Sequence, residues 1–328
     1  MPSRRTASAR ILGVCIVVSD HRFVITVVVT RNRAALLQRC LNALQAQSRP
    51  PDRVIVLDNA SDDGTPELFS SGPYATEASI SYVRLDENTG GAGGFHAGIA
   101  RAMEQGCDWI WVMDDDGCPA PDALERLMAV DPDPMAIHAA AALVDSGDEL
   151  ELVWPAAPVE GGDQGKTLMR IDDLKGPVVP VMNAPFIGML FHRSLIEQIG
   201  LPDKEFFVSF EDGELCARAW ARAGGVRLVP AAVVRHPRIE RRCFTAGRRR
   251  FCVIALAPWR RYYDTRNRLV IAKRHFGWRL WTEALPGTLL RWLVTLAVQP
   301  DRLAQSAAFA RGIFDALTGR LGMRWAPP

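Results

Sequence analysis

Residues 109–117 read W-I-W-V-M-D-D-D-G, an apolar run that ends in three consecutive carboxylates. The run is rich in aromatic and β-branched side chains and is followed by Gly117, which is typical of a buried strand and not of a helix. Because side chains alternate along a strand, Asp114 and Asp116 are expected on one side and Asp115 on the other. The sequence therefore predicts a central strand that carries acids to one edge of a sheet.

The acidic triplet suits a divalent metal ion. Two carboxylates held together in a poorly solvated cleft repel each other by several kcal/mol, and a divalent cation removes that cost. Mg²⁺ or Mn²⁺ commonly takes one or two protein carboxylates and leaves its other positions to water and substrate phosphate. The alternative is a solvated acidic turn that caps a helix beginning near Pro121. The triplet alone leaves both interpretations open.

Strands and helices alternate in the first part of the chain. Apolar runs predict strands over residues 23–29, 53–57, 80–85 and 109–113. Helical patterns cover residues 34–47, 66–70 and the stretch from the glycine loop to about 105. This alternation predicts a doubly wound α/β sheet, in which ligands bind outside the carboxyl ends of the strands. Polar clusters follow all four strands and predict a ligand site on that edge.

The second half of the chain is less regular. The predictions are a strand or buried helix over 135–144, a loop or mobile flap over 146–176, strands over 186–192 and 226–235, and a helix opening at 211. Beyond residue 257 the pattern is helical to the end. We therefore expect a flexible extension over residues 1–22, a catalytic domain over 23–256 and a helical C-terminal region over 257–328.

Composition excludes disorder and nucleic-acid binding by the whole molecule. Apolar residues make up 48% of the 328 residues, charged residues make up 23%, and the net charge is only +2. Eleven arginines nevertheless lie between residues 235 and 268. This asymmetry predicts a polyanionic or membrane-surface partner near the C-terminal third.

The cysteine pattern and the length of the apolar runs indicate the cellular compartment of the protein. Seven cysteines are scattered without a C-x-x-C pair, which is typical of a reducing compartment. No apolar run approaches the ~20 residues that a membrane-spanning helix requires. The chain is therefore expected to be soluble or peripheral.

The glycine loop at residues 90–98, G-G-A-G-G-F-H-A-G, opens a predicted helix. It fits neither the G-x-G-x-x-G pattern nor a P-loop, which disfavours NAD enzymes and kinases. A glycine-rich turn at a helix start can still bring a ligand close to its backbone amides.

Glu211, Asp212 and Glu214 begin a helix, and His236 follows a predicted strand. The acids either cap the helix or include a general base, which must lie within hydrogen-bond reach of the proton that it takes. A lone histidine such as His236 is more often a surface or core residue than a ligand.

Five motifs, in this order, resemble the inverting, nucleotide-sugar-dependent glycosyltransferases of family 2, which have the GT-A fold. They are V-V-V-T-R-N-R, V-L-D-N-A-S-D-D-G-T, E-N-T-G-G-A-G-G-F, M-D-D-D-G and F-E-D-G-E-L-C-A-R-A, and they span residues 23–236. E-N-T-G-G-A-G-G-F and Y-Y-D-T-R-N look most like the bacterial rhamnosyl- and galactofuranosyltransferases of cell-wall polysaccharide assembly.

The resemblance implies roles for particular residues. The residues implied to bind the nucleotide sugar are Thr30, Asp58, Asn59, Asn88, Gly90, Gly91, Asp114 and Asp115. Asp114, Asp116 and His236 are implied as ligands of Mn²⁺ or Mg²⁺, although Cys118 stands where some relatives have another acid. Asp212 matches the catalytic base. The residues implied to contact the acceptor are Glu211, Trp220, Tyr263 and Arg266.

The resemblance implies an inverting hexosyltransferase. UDP-galactofuranose or dTDP-rhamnose would be the donor, and a polyprenyl-diphosphate-linked or polysaccharide acceptor would receive the sugar. The alternatives are a nucleotidyltransferase and a catalytically dead nucleotide-sugar-binding scaffold.

The helical C-terminal region also has two interpretations. It is either a lid on the catalytic domain or a monotopic surface, because arginines beside tryptophans suit anionic lipid head groups. With the monotopic surface, the protein is expected in the cytoplasm, peripheral on the inner face of the plasma membrane.

Overall fold

A computed structural model describes residues 10–11, 14–15, 22–146, 150–160, 166–247 and 249–326. The predicted flexible extension over residues 1–22 lies almost wholly outside the described residues. Within it, a two-residue strand β1 (Arg10–Ile11) pairs antiparallel with β2 (Val14–Cys15).

An 11-stranded mixed sheet forms the centre of the molecule. Its strands are β3 (Val24–Thr30), β4 (Arg53–Asp58), β5 (Ile80–Arg84), β6 (Trp109–Asp114), β7 (Cys118–Pro119), β8 (Ile137–Val144), β9 (Glu151–Ala156), β10 (Leu168–Arg170), β11 (Val179–Pro180), β12 (Met189–His192) and β13 (Val226–His236). The main order is β10-β9-β8-β12-β6-β3-β4-β5, and β13 joins β7, β8 and β11. β3, β4, β5 and β6 run parallel, whereas β12 is antiparallel to both of its neighbours.

Helices cover both faces of the sheet and form the C-terminal region. They are α1 (Ala34–Gln45), α2 (Thr65–Ser70), α3 (Gly90–Glu104), α4 (Ala123–Ala129), α5 (Arg193–Ile199), α6 (Glu211–Arg222), α7 (Pro258–His275), α8 (Leu285–Val298) and α9 (Arg302–Thr318). A π-helical segment, Leu280–Ala284, leads directly into α8.

The central strand β3 shows why the sheet is doubly wound. All seven of its residues are buried. Val24 and Val28 pack into one core cluster with the apolar face of α1, whereas Ile25, Val27 and Val29 pack into a second cluster with α3 on the opposite face. A strand that is apolar on both faces needs cover on both sides, as the continuous run of valines predicted.

In the second half, one open prediction is resolved and another is corrected. Residues 135–144 contain a strand, β8, and not a helix. The stretch over 146–176 is not simply a loop, because β9 and β10 extend the sheet there. Leu152 of β9 pairs with Leu143 of β8 and is buried. This pairing depends on a distant strand, so the local sequence carries little sign of it.

An arginine-rich hairpin, unpredicted from the sequence, connects β13 to α7. Its strands are β14 (Arg241–Ala246) and β15 (Arg249–Ile254). Cys243 and Cys252 face each other in the antiparallel register, with Cα atoms 4.1 Å apart, and form a disulfide. The scattered cysteine pattern gave no sign of this bond, because the register of the hairpin and not a short motif sets the pairing.

The C-terminal helices pack against the start of α6 as well as against each other. The predicted helical character of this region is confirmed by α7, α8 and α9. Among the described residues, no helix combines the length and apolar character needed to cross a membrane.

Candidate active site

Parallel strands bring the predicted polar residues to one edge of the sheet. Thr30 at the end of β3 is in register with Asp58 at the end of β4, and Val29 is in register with Asp114 at the end of β6. The carboxyl ends of these three strands therefore meet, as a doubly wound sheet requires of its ligand site.

The acidic triplet is bridged by a cation from the loop after β3. Nη1 of Arg33 donates to Oδ1 of Asp115 at 3.1 Å and to Oδ2 of Asp116 at 2.9 Å, and Thr30 Oγ1 donates to the other oxygen of Asp115 at 2.8 Å. The expectation that Asp115 lies on the opposite side from Asp116 was wrong. The strand ends at Asp114, where a turn begins, so strand alternation does not extend to the next two residues.

Asp116 and His236 form a contact pair that fits a shared metal ion. Nε2 of His236 lies 3.1 Å from Oδ1 of Asp116, a buried oxygen with no other partner among the described residues. Nδ1 of His236 lies 2.7 Å from the carbonyl oxygen of Pro237, which favours a proton on Nδ1 and a free lone pair on Nε2. Two adjacent ligands of an octahedral ion at ~2.1 Å are separated by about 3 Å, which matches the observed spacing.

Burial opposes the charged forms of both residues in this pair. Their mutual contact nevertheless raises the pKa of His236 and lowers the pKa of Asp116. The pair is therefore an electrostatic unit even before a metal ion is considered.

Asp114 interacts electrostatically with both members of this pair. No group of three or more His, Cys, Asp or Glu side chains among the described residues lies close enough together to hold a metal ion. The ligand set of Asp114, Asp116 and His236 stays a prediction. Burial, with the charges of Asp116 and Asp115, raises the pKa of Asp114 well above its usual range.

The residues predicted to hold the nucleotide lie on this edge, and several are occupied by internal contacts. The carboxylate of Asp58 accepts from Ser61 and from the Tyr82 hydroxyl, both at 2.5 Å, and is fully buried. The amide of Asn59 donates to the Gly90 carbonyl at 3.0 Å and accepts from Thr89 Oγ1 at 2.8 Å. Asn59 thus fastens the end of β4 to the start of α3, whereas Asp58 is held by its own loop and by β5.

The glycine loop has a close-packing role in this structure. Asn88 accepts from the backbone N–H of Gly90 at 3.0 Å, and Gly90 has a φ of 72°. A Cβ on Gly90 would overlap the carbonyl oxygen of Phe207, and one on Gly91 would lie 3.0 Å from Oε1 of Glu211. Glycine is therefore required here for the approach of α3 to the start of α6.

The loop before α6 is held in an unusual backbone conformation. Phe207, Ser209 and Phe210 have φ values of 64°, 71° and 70°, a region that costs a non-glycine residue about 1–2 kcal/mol. Glu211 and Asp212 follow at once and begin α6. Surrounding contacts must therefore hold the loop that presents these two carboxyl groups.

Burial shifts both carboxyl groups of the α6 start. Burial raises the pKa of Asp212 to about 6, although the N–H of Gly213 donates to its Oδ1 at 2.6 Å. Burial and the neighbouring charge of Asp212 raise the pKa of Glu211 to about 8. Asp212 is thus a stronger base than an exposed aspartate while still being mostly ionised at neutral pH.

Three residues predicted to contact an acceptor are used internally. Tyr263 and Arg266 are fully buried in α7, where Tyr263 donates to the Trp325 carbonyl at 3.0 Å and Arg266 donates to the carbonyls of Gly322 at 2.7 Å and Phe206 at 2.9 Å. Nε1 of Trp220 donates to backbone carbonyls of the β11 region. The resemblance implied acceptor contact for these side chains; in this fold, their donors satisfy backbone carbonyls.

Two cations at the acidic cluster were not among the predicted site residues. Arg33 bridges the triplet, and Arg260 at the start of α7 is near enough that Asp116 and Asp114 raise its pKa while burial and Arg33 lower it. The T-R-N-R sequence after β3 was the one available signal for Arg33. Arg260 comes from a distant helix and gave none.

Solved structures with the same fold include complexes with nucleotide sugars. S. aureus TarS residues 1–349, solved with UDP-GlcNAc, has a TM-score of 0.57 and 14% identity, covering 90% of this chain and 80% of that one. The mannosyltransferase PcManGT from Pyrobaculum calidifontis, solved with GDP-Man and Mn²⁺, has a TM-score of 0.54 and 16% identity, covering 92% and 89%. These likenesses identify the fold as GT-A, as predicted.

The particular family follows from the sequence comparison. The Glycosyl transferase family 2 model matches residues 25–200, and this chain belongs to that family. Galactofuranosyltransferase GlfT1 of Mycolicibacterium smegmatis is 32% identical over 200 residues, covering 60% of this chain and 64% of the relative. This chain thus matches less than two thirds of that relative's length. The resemblance inferred from the five motifs is confirmed.

Proposed function

We propose that this protein transfers a sugar, with inversion, from a nucleotide-diphosphate donor to a lipid-linked or polysaccharide acceptor. The observation that carries the proposal is the meeting of two clusters at one edge of the sheet. The first cluster is the acidic triplet with His236, at the ends of the parallel strands. The second is Glu211 with Asp212, and the charge of Glu211 is near enough to raise the pKa of Asp114. One cluster suits a leaving diphosphate, and the other suits an incoming hydroxyl.

Asp212 is proposed as the general base. It takes the proton of the acceptor hydroxyl while that oxygen attacks the anomeric carbon from the face opposite the diphosphate. The carbon–oxygen bond to the diphosphate breaks in the same displacement, so the anomeric configuration inverts. The raised pKa of Asp212 strengthens its pull on that proton. The family match ends at residue 200, so this role depends on the geometry of α6.

Asp116 and His236 are proposed to hold Mn²⁺ or Mg²⁺. The 3.1 Å separation of their facing atoms, the buried oxygen of Asp116 and the fixed ring of His236 support this assignment. A bound ion would neutralise the negative charge that develops on the departing diphosphate. Arg33 keeps Asp116 oriented through its bridge to Asp115.

Galactofuranose is the favoured donor sugar. The curated relative at 32% identity is named a galactofuranosyltransferase, and this favours UDP-galactofuranose over dTDP-rhamnose. The relatives also include an undecaprenyl-phosphate mannosyltransferase, 31% identical over 105 residues, which is consistent with a lipid-linked acceptor.

We also propose peripheral association with the inner face of the plasma membrane through α8. In this helix the polar Thr288 and Thr295 are fully buried, whereas the apolar Leu290 and Leu293 are 51% and 66% exposed. Exposed Trp278 lies just before it, and the arginine-rich hairpin of β14 and β15 packs beside it. Apolar side chains next to cations suit an interface with anionic lipid.

Flotation with phosphatidylglycerol vesicles tests this surface. Wild type should float with the vesicles, and the Leu290→Ser and Leu293→Ser double variant should remain at the bottom of the gradient. Flotation of the double variant at the level of wild type would contradict the assignment to α8.

The transferase proposal is tested by calorimetric titration of UDP and dTDP, each with and without Mn²⁺. The proposal predicts selective UDP binding that needs Mn²⁺ and is lost in Asp116→Ala, together with sugar transfer from UDP-galactofuranose to a polyprenyl-diphosphate-linked glycan. Nucleotide binding without any transfer would favour the scaffold alternative. The absence of nucleotide binding in every condition would overturn the proposal.

A further inference from the structure

The hairpin of β14 and β15 is anchored to the rest of the molecule at its base. Arg241 donates to the carbonyl of Val153 in β9 at 3.2 Å, and Arg242 donates to the side chain of Gln299, just after α8, at 3.3 Å. Val253 on β15 is buried, and both strands pack against α8. The base of the hairpin therefore has a fixed position beside α8.

The outer half of the hairpin, residues 244–251, carries cations that have no partner among the described residues. Arg249 and Arg250 are exposed, and neither forms an ion pair or a side-chain hydrogen bond with any described residue. Phe244 and Phe251 lie opposite each other in the antiparallel register and stack with ring centroids 5.4 Å apart. The outer half is thus a basic arm whose cations are free to bind an anion.

A disulfide lies between this arm and the anchored base. Cys243 and Cys252 are paired in the register next to the two phenylalanines, and alternation along each strand places them on the opposite face of the hairpin. Cys252 is exposed and Cys243 is partly exposed. The thiols of Cys40, Cys107 and Cys216, by contrast, are free and buried. The oxidised pair is therefore accessible to a reductant in solution, unlike those three thiols.

Such a bond is uncommon in the reducing compartment that the cysteine pattern predicts. Disulfides that form in reducing compartments are usually transient or redox-sensing, and exposed ones are the most easily reduced. A dithiol reductant supplies two electrons and two protons. The bond between the two sulfur atoms then breaks, two thiols form, and the reductant becomes a disulfide. Both oxidation states of the hairpin are therefore within reach of cytoplasmic thiol chemistry.

Reduction loosens the arm. An isolated two-stranded hairpin is only marginally stable in water. A cross-link between residues 9 positions apart favours paired over separated strands by roughly 100-fold. Without the cross-link the two arginines lose their fixed spacing, and ordering them again on a binding surface lowers the affinity by about tenfold.

We propose that the Cys243–Cys252 disulfide is a redox switch for membrane binding. In the oxidised state the arm presents Arg249 and Arg250 to anionic lipid head groups, beside the exposed leucines of α8, and reduction weakens this binding. The charge of the arm selects an anionic bilayer, because each Lys or Arg near such a surface strengthens binding by about fivefold. This inference rests on the proposed membrane association and adds its regulation.

Flotation of the full chain over a series of phosphatidylglycerol vesicle concentrations, with and without dithiothreitol, tests the switch. Mass spectrometry after alkylation verifies the state of the two cysteines. The oxidised wild type should bind about tenfold more tightly than the reduced protein. The Cys243→Ser and Cys252→Ser double variant should bind like the reduced wild type in both conditions. Equal binding of oxidised and reduced wild type, or a response of the double variant to dithiothreitol, would overturn the proposal.

Substitution of the two arginines tests the binding surface. Arg249→Gln and Arg250→Gln should each lower the affinity of the oxidised protein about fivefold. Arg126→Gln is the matched control, because Arg126 is an exposed arginine on α4 with its own partner, Asp122, at 2.6 Å. Wild-type affinity when both hairpin arginines are replaced, or equal binding to neutral phosphatidylcholine vesicles, would refute the role of the arm.

UDP binding separates the switch from a structural role of the disulfide. Mn²⁺-dependent UDP binding should be the same in the oxidised and reduced protein, because the base of the hairpin keeps its own anchors. A parallel loss of UDP affinity on reduction would make the disulfide a cross-link of the whole fold and overturn the switch. Equal vesicle binding in the two oxidation states refutes the switch alone, whereas failure of the oxidised wild type to bind vesicles refutes the membrane association as well.

Discussion

Asn267→Ala should disrupt the loop that presents the proposed base. The amide nitrogen of Asn267 donates to the carbonyls of Phe206 at 3.0 Å, Val208 at 2.9 Å and Ser209 at 2.7 Å. Each net hydrogen bond contributes about 0.5–1.5 kcal/mol, and a buried carbonyl left without a donor adds to the loss. We expect the free energy of unfolding to fall by about 2–4 kcal/mol.

The loss of this contact should also reduce turnover. Without the amide, the positive φ values of Ser209 and Phe210 are no longer held against their intrinsic cost, so Asp212 is displaced from its position. A misplacement of about 1 Å can lower a rate by about 100-fold. We therefore expect kcat to fall about 10- to 100-fold.

Urea unfolding, sugar-transfer kinetics and Mn²⁺-dependent UDP titration together form the assay. Lys273→Ala is the matched control, because Lys273 lies on the same helix and also donates to a backbone carbonyl, that of Leu317 at 2.9 Å, but is exposed. The control should change stability by less than about 0.5 kcal/mol. UDP affinity should survive in both variants. Asn267→Ala with wild-type kcat would refute the positioning role, even if its stability fell.

Two other predictions concern Asp212 and the glycine loop. Asp212→Asn should lower kcat by a factor of about 100 or more while donor affinity is retained, and in wild type the rate should rise with pH through about 6, since the base acts in its ionised form. Because its pKa is raised, the protonated carboxyl group of Asp212 stabilises the fold at low pH, and this stability is lost as the pH rises through about 6. Asp212→Asn should therefore raise the melting temperature at pH 8, where the wild type buries a charge. A lower melting temperature would contradict this. Gly90→Ala should lower the free energy of unfolding by about 2 kcal/mol or more because its Cβ would overlap the carbonyl of Phe207 at a φ of 72°. Gly64→Ala, which meets open space, is the control, and equal melting temperatures for these two glycine variants would refute the packing role.

The sequence was sufficient to predict the parts of the fold that local patterns determine. The valine run of β3 and the aromatic run of β6 predicted strands that lie within one residue of those observed. The family was also predictable, because five motifs occur in a fixed order. These features depend on side-chain periodicity and on short contiguous sequences, which a single chain displays directly.

Features that depend on distant contacts were not predictable. β9 forms by pairing with β8, and Cys243 meets Cys252 only through the register of a hairpin. Tyr263 and Arg266 belong to a motif with the composition of a ligand site, yet the fold buries them. The sequence shows the types of these residues, but the tertiary structure decides which carbonyls they contact.

The hydrogen bonds from Asn267 and Arg266 of α7 to the loop before α6 determine which fragments of this protein can stay active. Asp116 and His236 lie within residues 23–256, whereas Asn267 and Arg266, which hold the loop of the proposed base, come after residue 256. A fragment that ends at residue 256 is therefore expected to bind the donor but to lose turnover. In a chimera, exchange of the C-terminal helices is therefore expected to alter the alignment of the proposed base as well.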